Sequence, residues 1–94
     1  MVIGACTIKL YMPTTHSLKE KRSVVKSVTA RVSREFNVSI AEVDYQDVWQ
    51  TALLGIATVS NDVAYAHGVL ERVVQWIESN RPDVEVLEVA VEML

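Results

Sequence analysis

Apolar and polar positions follow two different periods along this chain, and each change of period marks a structural element. Residues 2–12 are apolar and rich in β-forming side chains, and Pro13 ends the run, which predicts a first strand. Between residues 18 and 35 the apolar positions recur every three or four residues, the spacing of a helix with one buried face. The expected buried residues of this helix are Val25, Val28, Val32 and Phe36.

The second half of the chain repeats the same succession. Residues 38–45 and 51–60 are predicted strands joined by a short hairpin, and residues 62–79 are a second predicted helix. Residues 84–94 alternate apolar and acidic side chains, which predicts a fourth strand. The expected buried stripe of the second helix consists of Val63, Ala66, Leu70, Val73 and Ile77.

Side chains that can accept a backbone hydrogen bond mark the start of each predicted helix. Ser17 and Glu20 have the spacing of a capping box, in which each side chain satisfies a free backbone N–H group. The first helix is therefore expected to begin at Leu18. Ser60 or Asn61 is expected to cap the second helix.

The resulting element order, βαββαβ, predicts a single ferredoxin-like α+β domain over residues 1–94. In this fold two right-handed βαβ units form a four-stranded antiparallel sheet, here with the order 4-1-3-2, and both helices cover one face. Strand directions then bring three loops to the same end of the sheet: residues 13–22, 45–50 and 78–83. That end is the expected location of any functional site.

The open face of this sheet bears on self-association. Alternation divides the apolar residues of the last strand between two faces, with Val84, Val86 and Ala90 on one and Leu87, Val89 and Val91 on the other. The helices cover only one face, so an apolar patch is expected on the other. Such a patch, together with the unpaired strand edges, favours a homodimer.

Composition adds limits rather than a function. Half of the residues are hydrophobic, Cys6 is the only cysteine, and no basic leader precedes an apolar run. These features favour a soluble cytoplasmic protein without a disulfide framework. His16 and His67 lack metal-ligand spacing, and no nucleophile has an evident base partner, so neither a metal, a cofactor nor catalysis is expected.

Charge is distributed unevenly, and this changes the interpretation of a net charge of -3. Residues 16–34 contain six of the nine basic residues and only one acid, Glu20. These six residues are Lys19, Lys21, Arg22, Lys26, Arg31 and Arg34. A basic surface of this kind is a candidate site for phosphates, although a charged helix face is also commonly just solvated.

Three of these cations, Lys19, Lys21 and Arg22, lie at the start of the predicted helix. This end of a helix disfavours positive charge, because the N-terminal end of the helix dipole is already positive. One interpretation pairs them with Asp44 or Asp47. The other is an anion site built from the helix N–H groups, the cations and the amides of Gln46 and Gln50. Lys21 lies on the valine side of the helix, so either its stem covers the core edge or its ammonium points into the site.

Trp49 lies in the predicted hairpin, where it either closes the end of the core or offers a ring on which a base can stack. Trp76 is expected to pack against the core. The candidate site residues are His16, Lys19, Lys21, Arg22, Lys26, Arg31, Arg34, Gln46, Asp47, Trp49 and Gln50.

Three segments, "HSLKEKRSVVKS", "FNVSIAEVDYQDVWQTALLGIA" and "VSND", resemble the YlxP-like family of small bacterial proteins (domain of unknown function 503). The resemblance covers essentially the whole chain and implies a ferredoxin-like fold. Members of this family are often encoded beside transcription and translation factors, including a ribosome-binding factor, which implies RNA or ribosome biology. The resemblance implies no catalytic residues.

The leading hypothesis is a non-enzymatic RNA- or ribosome-associated protein that binds through its basic first helix and the adjacent loops. The alternative is a homo-oligomeric interaction module with an anion site at the start of that helix. No signal for sequence-specific DNA binding or for a membrane is present. The third predicted strand has no aromatic residue, so any RNA is expected on the helix and loops rather than on the sheet.

Overall fold

Four strands and two helices follow one another in the order βαββαβ in a computed structural model that describes residues 1–94. The elements are β1 (Val2–Tyr11), α1 (Leu18–Glu35), β2 (Ser39–Asp44), β3 (Thr51–Ser60), α2 (Val63–Asn80) and β4 (Glu85–Met93). Each lies within one residue of its predicted boundaries. The hydrophobic period therefore determined the elements of this chain.

The sheet has the order β2-β3-β1-β4 and all its pairings are antiparallel, which confirms the predicted 4-1-3-2 arrangement. β1 is central and pairs with β3 along its whole length, from Val2 opposite Ser60 to Tyr11 opposite Thr51. On its other side β1 pairs with β4, where Tyr11 lies opposite Glu85. The two outer strands, β2 and β4, are the edges of the sheet.

The core lies between one face of the sheet and the two helices. β1 contributes Cys6, Ile8 and Leu10 at alternate positions, and Met12 follows directly after the strand. The helices contribute Val25, Val28 and Val32 from α1 and Leu70, Val73 and Ile77 from α2. Neither helix is apolar over a stretch long enough to cross a membrane.

α2 differs from its prediction at its N-terminal end. Asp62 caps the helix by accepting a hydrogen bond from the Tyr65 N–H at 3.3 Å, so neither Ser60 nor Asn61 is the cap. Val63, in the first turn, is 52% exposed rather than buried. Val69 takes a place in the buried stripe instead, because it stands one turn from Ala66 and Val73 on the side that faces the sheet.

A bulge in β4 changes which of its side chains face the helices. The pairing with β1 shifts between Lys9 and Leu10, and Leu87 is left without an opposite residue. Beyond the bulge Val89 lies opposite Ile8, which is a core residue, so strict alternation along β4 is wrong. The side of β4 that belongs to the open face carries Glu88, Ala90 and Glu92.

Candidate binding site at the start of the first helix

Strand pairing places the β1–α1 loop, the β2–β3 hairpin and the α2–β4 loop at one end of the sheet, as the strand directions predicted. Side-chain hydrogen bonds join the first two of these loops. Arg81, in the third loop, instead donates to the Ser27 hydroxyl at 2.6 Å, halfway along α1. The candidate site is therefore built from the β1–α1 loop, the hairpin and α1.

Thr15 fastens the hairpin to the β1–α1 loop. Its buried hydroxyl lies 2.7 Å from the Trp49 carbonyl and 2.9 Å from the Met12 carbonyl. The Met12 N–H donates to the Gln50 carbonyl at 2.8 Å, and the Gln50 amide lies 3.4 Å from the carbonyls of Pro13 and Thr15. Sequence reasoning missed Thr15, because a threonine in a loop gives no signal that its hydroxyl is buried.

The first turn of α1 is capped by its own side chains. The Ser17 hydroxyl accepts from the Glu20 N–H at 3.1 Å, as the capping box predicted. The Glu20 carboxylate accepts from the N–H of His16 at 2.7 Å, one residue before the cap. A carboxylate of this chain therefore already stands at the positive end of the helix dipole.

Lys21 is fully buried and forms an ion pair with Glu42 of β2. Its ammonium also donates to the Tyr45 carbonyl at 2.7 Å. No donor other than this ammonium reaches the buried Oε2 of Glu42. Lys21 therefore joins α1 to β2 and the hairpin, and in this structure its charge is not offered to an external anion.

The partner of Lys21 is Glu42 and not Asp44 or Asp47 because β2 contains a bulge. Glu42 lies opposite Leu54, a buried residue on the helix side, whereas Asp44 lies opposite Leu53. Period-2 alternation would place the two acids on one face, and the register shift between them separates them. The Asp44 carboxylate accepts a hydrogen bond from the Tyr45 N–H at 2.7 Å, and Tyr45 itself has a φ of 64°.

Arg22 has the contact with Asp47 that the charge pattern suggested, but the contact is weak. The two charged groups are 3.9 Å apart, and the side chains are 61% and 94% exposed. An ion pair this exposed contributes little to stability, since water screens it and both side chains lose freedom. Both groups remain accessible to a ligand.

The outer surface of α1, called here the basic face, carries five exposed cations: Lys19, Arg22, Lys26, Arg31 and Arg34. Four of them form no ion pair within the chain, Arg22 being the exception. Arg31 lies over the ring of Trp76 with its guanidinium carbon 5.6 Å from the ring centroid. The residues between the cations are small and exposed: Ser23, Ser27, Ala30 and Ser33.

Trp49 stands outside the core at the hairpin, with 42% of its surface exposed. The interpretation of Trp49 as a plug of the core is therefore wrong, whereas Trp76 packs against the core as expected. The ring of His16 lies next to Trp49, with 6.2 Å between the centroids and 44° between the planes. Gln46 is exposed and takes part in none of the side-chain hydrogen bonds of the site.

Comparisons with known proteins agree with this fold. Two designed proteins match all of the chain. Foldit4 matches with a TM-score of 0.53 and 16% sequence identity, and the match covers 97% of that protein. LFR1 1, which has a ferredoxin fold, matches with a TM-score of 0.57 and 18% sequence identity, and the match covers 84% of that protein. Identities this low establish the fold alone. Together with the element order, they show that the chain has a ferredoxin-like α+β fold.

Sequence comparison identifies relatives. The uncharacterized protein YlxP of Bacillus subtilis is 42% identical over 84 residues, which cover 89% of this chain and 90% of that protein. The model of the family described as protein of unknown function (DUF503) matches residues 3–91. The chain belongs to the DUF503 family.

Proposed function

We propose that this protein is a non-enzymatic, RNA- or ribosome-associated binding protein that holds RNA by its phosphates along the basic face of α1. The observation that carries the proposal is the set of five exposed cations on one helix, four of which have no acidic partner in the chain. Protein surfaces usually mix charges of both signs evenly, so a helix surface with five cations and only two acids, Glu20 and Glu35, suits a polyanion.

The shape of the basic face suits a phosphate backbone. From Lys19 to Arg34 the helix rises about 22 Å, at 1.5 Å per residue. The small side chains between the cations leave room for a ribose-phosphate chain to approach the helix closely. Such contacts carry no sequence information, so the expected binding depends on charge and salt rather than on base identity.

The open face of the sheet is not the expected RNA surface. β3 presents Leu53, Gly55 and Ala57 there, and none of these can stack on a base. β4 adds the acidic Glu88 and Glu92 to the same face, and these repel phosphates. The lack of aromatic side chains on this face of β3 and the acidic residues on the same face of β4 favour α1 over the sheet as the RNA surface.

Fluorescence anisotropy with a labelled ribosomal RNA fragment and an unrelated RNA tests the proposal. The logarithm of affinity should fall linearly with the logarithm of salt concentration, by about 0.7 per phosphate contact for single strands. Changing Lys26 and Arg34 to glutamine should weaken binding to both RNAs and lower the slope by about 1.4 for the two lost contacts.

Arg72→Gln is the matched control, because it removes one positive charge from the exposed surface of α2. It should shift affinity far less than Lys26→Gln alone. Absence of RNA binding at low salt, or equal losses for Lys26→Gln and Arg72→Gln, would contradict the proposal.

A second candidate function, self-association as a homodimer, is favoured by the outer edge of β4. β4 is nine residues long, the backbone groups on its side away from β1 are unpaired, and Val89 and Val91 are 44% and 41% exposed. Pairing of two β4 strands across a two-fold axis would continue the sheet and cover these valines. Light scattering at high micromolar concentration should show a dimer that Val89→Lys dissociates, and a monomeric parent protein would refute this function.

A further inference from the structure

The hairpin carries a large, partly exposed aromatic side chain on a backbone that hydrogen bonds hold in place. Trp49 is 42% exposed, while its carbonyl is bonded to the buried Thr15 hydroxyl. On the other side of the hairpin, the Lys21 ammonium holds the Tyr45 carbonyl at 2.7 Å. Polar side chains of the β1–α1 loop and of α1 therefore hold the hairpin backbone at two points.

Trp49 is not among the side chains packed against the core, so the exposed part of its indole contributes little to the stability of the fold. The rings of His16 and Trp49 lie 6.2 Å apart but are tilted by 44°, so they do not stack on each other. Both side chains are exposed, and a flat group can contact a ring face of either.

The aromatic pair adjoins the basic face. Arg22, one of its cations, lies 3.9 Å from Asp47, two residues before Trp49. His16 immediately precedes the cap of α1, and its N–H is bonded to Glu20 of the first turn. A chain whose phosphates contact the first two turns of α1 therefore passes beside these rings.

We infer that Trp49, with His16 beside it, is a stacking subsite for an unpaired base, and that the RNA held by the basic face is single-stranded at this end of α1. The inference rests on the proposed function and narrows its ligand class. Every base has a π face, so the subsite distinguishes unpaired from paired bases but does not select a sequence. A duplex keeps its bases inside the helix and can use only the cations.

The tryptophan itself supplies the readout. Trp76→Phe removes the second indole, which packs against the core, and leaves Trp49 as the only one. Titration of this variant with a 12-residue oligouridine should quench and shift Trp49 emission. A duplex RNA of the same length, at saturating concentration, should leave the emission unchanged even where anisotropy reports binding.

Affinities measured with variants separate stacking from charge. Trp49→Leu should weaken oligouridine binding about 5- to 150-fold, the range that one stacked base represents, without changing the salt slope. The same change should leave duplex binding within twofold. His16→Leu should cause a smaller loss in the same direction, and the matched control, Lys26→Gln, should weaken both RNAs and lower the slope.

The inference would be overturned, while the proposed function stands, if Trp49→Leu lost the same affinity for single-stranded and duplex RNA or lost affinity for neither. Unquenched Trp49 emission in a saturated oligouridine complex would overturn it as well. Loss of all RNA binding by the unmodified protein would refute the proposed function, and the inference with it. Unchanged thermal unfolding of Trp49→Leu, expected for a residue outside the core, shows that the affinities compare folded proteins.

Discussion

The two helices of this protein are matched in construction and opposite in surface. α1 and α2 each contain 18 residues, and each begins at a side chain that accepts a backbone hydrogen bond, Ser17 in one and Asp62 in the other. Each packs a stripe of aliphatic side chains on the same face of the sheet. Both helices therefore cover the same face of the sheet and contribute to the same core.

Their outer surfaces differ. The outer surface of α1 carries five basic and two acidic residues, whereas that of α2 carries one arginine, Arg72, and two glutamates. In α2, Glu71 lies 3.1 Å from His67, a pair one turn apart on the same helix. Both helices bury a stripe of aliphatic side chains, so packing does not explain the five exposed cations of α1, and the comparison directs attention to the basic face. Variants that affect one helix more than the other test this comparison.

The largest difference is expected at Lys21, since α2 has no buried cation. Lys21→Met keeps the length of the stem but removes the ammonium that faces Glu42 and the Tyr45 carbonyl. Removing one partner of a buried ion pair costs about 3–5 kcal/mol, because the remaining charge stays in a poorly solvated place. Urea denaturation should show this loss in the free energy of unfolding.

Lys19→Met is the control for Lys21→Met, as Lys19 is exposed and unpaired in the same turn. Its effect should stay within about 0.5 kcal/mol, the usual range for a surface change. The double variant Lys21→Met with Glu42→Leu should regain much of the loss, because it leaves no unpaired charge. Equal effects of Lys19→Met and Lys21→Met would show that the Lys21 ammonium is solvated.

The next largest effect is expected from the buried stripes themselves. Leu70→Ala in α2 should cost about 2–5 kcal/mol and Val28→Ala in α1 about 1–3 kcal/mol, since more buried carbon is lost from leucine. Both residues are fully buried. Thermal and urea unfolding measure the costs, and Ser33→Ala on the exposed side of α1 is the control. An unchanged stability of Val28→Ala would contradict the assignment of the buried face.

The elements and their order were predictable because hydrophobic period and capping are local properties. The errors lie where a single residue breaks the period. At Leu87 a bulge reverses the alternation of β4, and the register shift before Asp44 does the same in β2. No residue type in either strand indicates a bulge, so a prediction based on alternation assigns the residues beyond the bulge to the wrong face.

The candidate site was predictable in its location but not in its contacts. Strand directions brought the loops together, and the charge pattern suggested acid partners for the α1 cations. The partner of Lys21 depended on the register shift in β2, and the burial of Thr15 depended on the path of the hairpin. Both are tertiary features, which a sequence pattern does not encode.

The two helix caps allow a smaller and more symmetrical test. Ser17→Ala and Asp62→Ala should each cost about 0.5–2 kcal/mol, because each leaves one backbone N–H of the first turn without its acceptor. Amide hydrogen exchange should increase at Glu20 in the first variant and at Tyr65 in the second. Ser23→Ala, inside α1, is the control for loss of a serine hydroxyl. Faster exchange of Glu20 in Asp62→Ala would show that the helix ends are not independent.

The smallest expected effect concerns Arg81, whose hydrogen bond to Ser27 connects the end of α2 to α1. Arg81, which follows α2, reaches Ser27 of α1 and also donates to both carboxylate oxygens of Asp83, at 2.9 and 2.7 Å. These hydrogen bonds from Arg81 hold the pKa of Asp83 below its usual range, and the same contact raises the pKa of Arg81. Because Asp83 is partly exposed, its contribution should stay below about 1 kcal/mol.

The lowered pKa gives this contribution a defined pH dependence. The charged form of Asp83 is favoured in the folded state, so the contribution is fully present above the unfolded pKa of about 3.9 and is lost as the pH falls through the lower folded pKa. Asp83→Asn should therefore lower the melting temperature slightly at pH 7 and hardly at all near pH 2. Asp47→Asn is the control, because its carboxylate is 94% exposed and 3.9 Å from Arg22. If the melting temperatures of Asp83→Asn and the parent protein still differ at low pH, the stabilisation comes from the hydrogen bond to Ser27 and from packing rather than from the charge of Asp83.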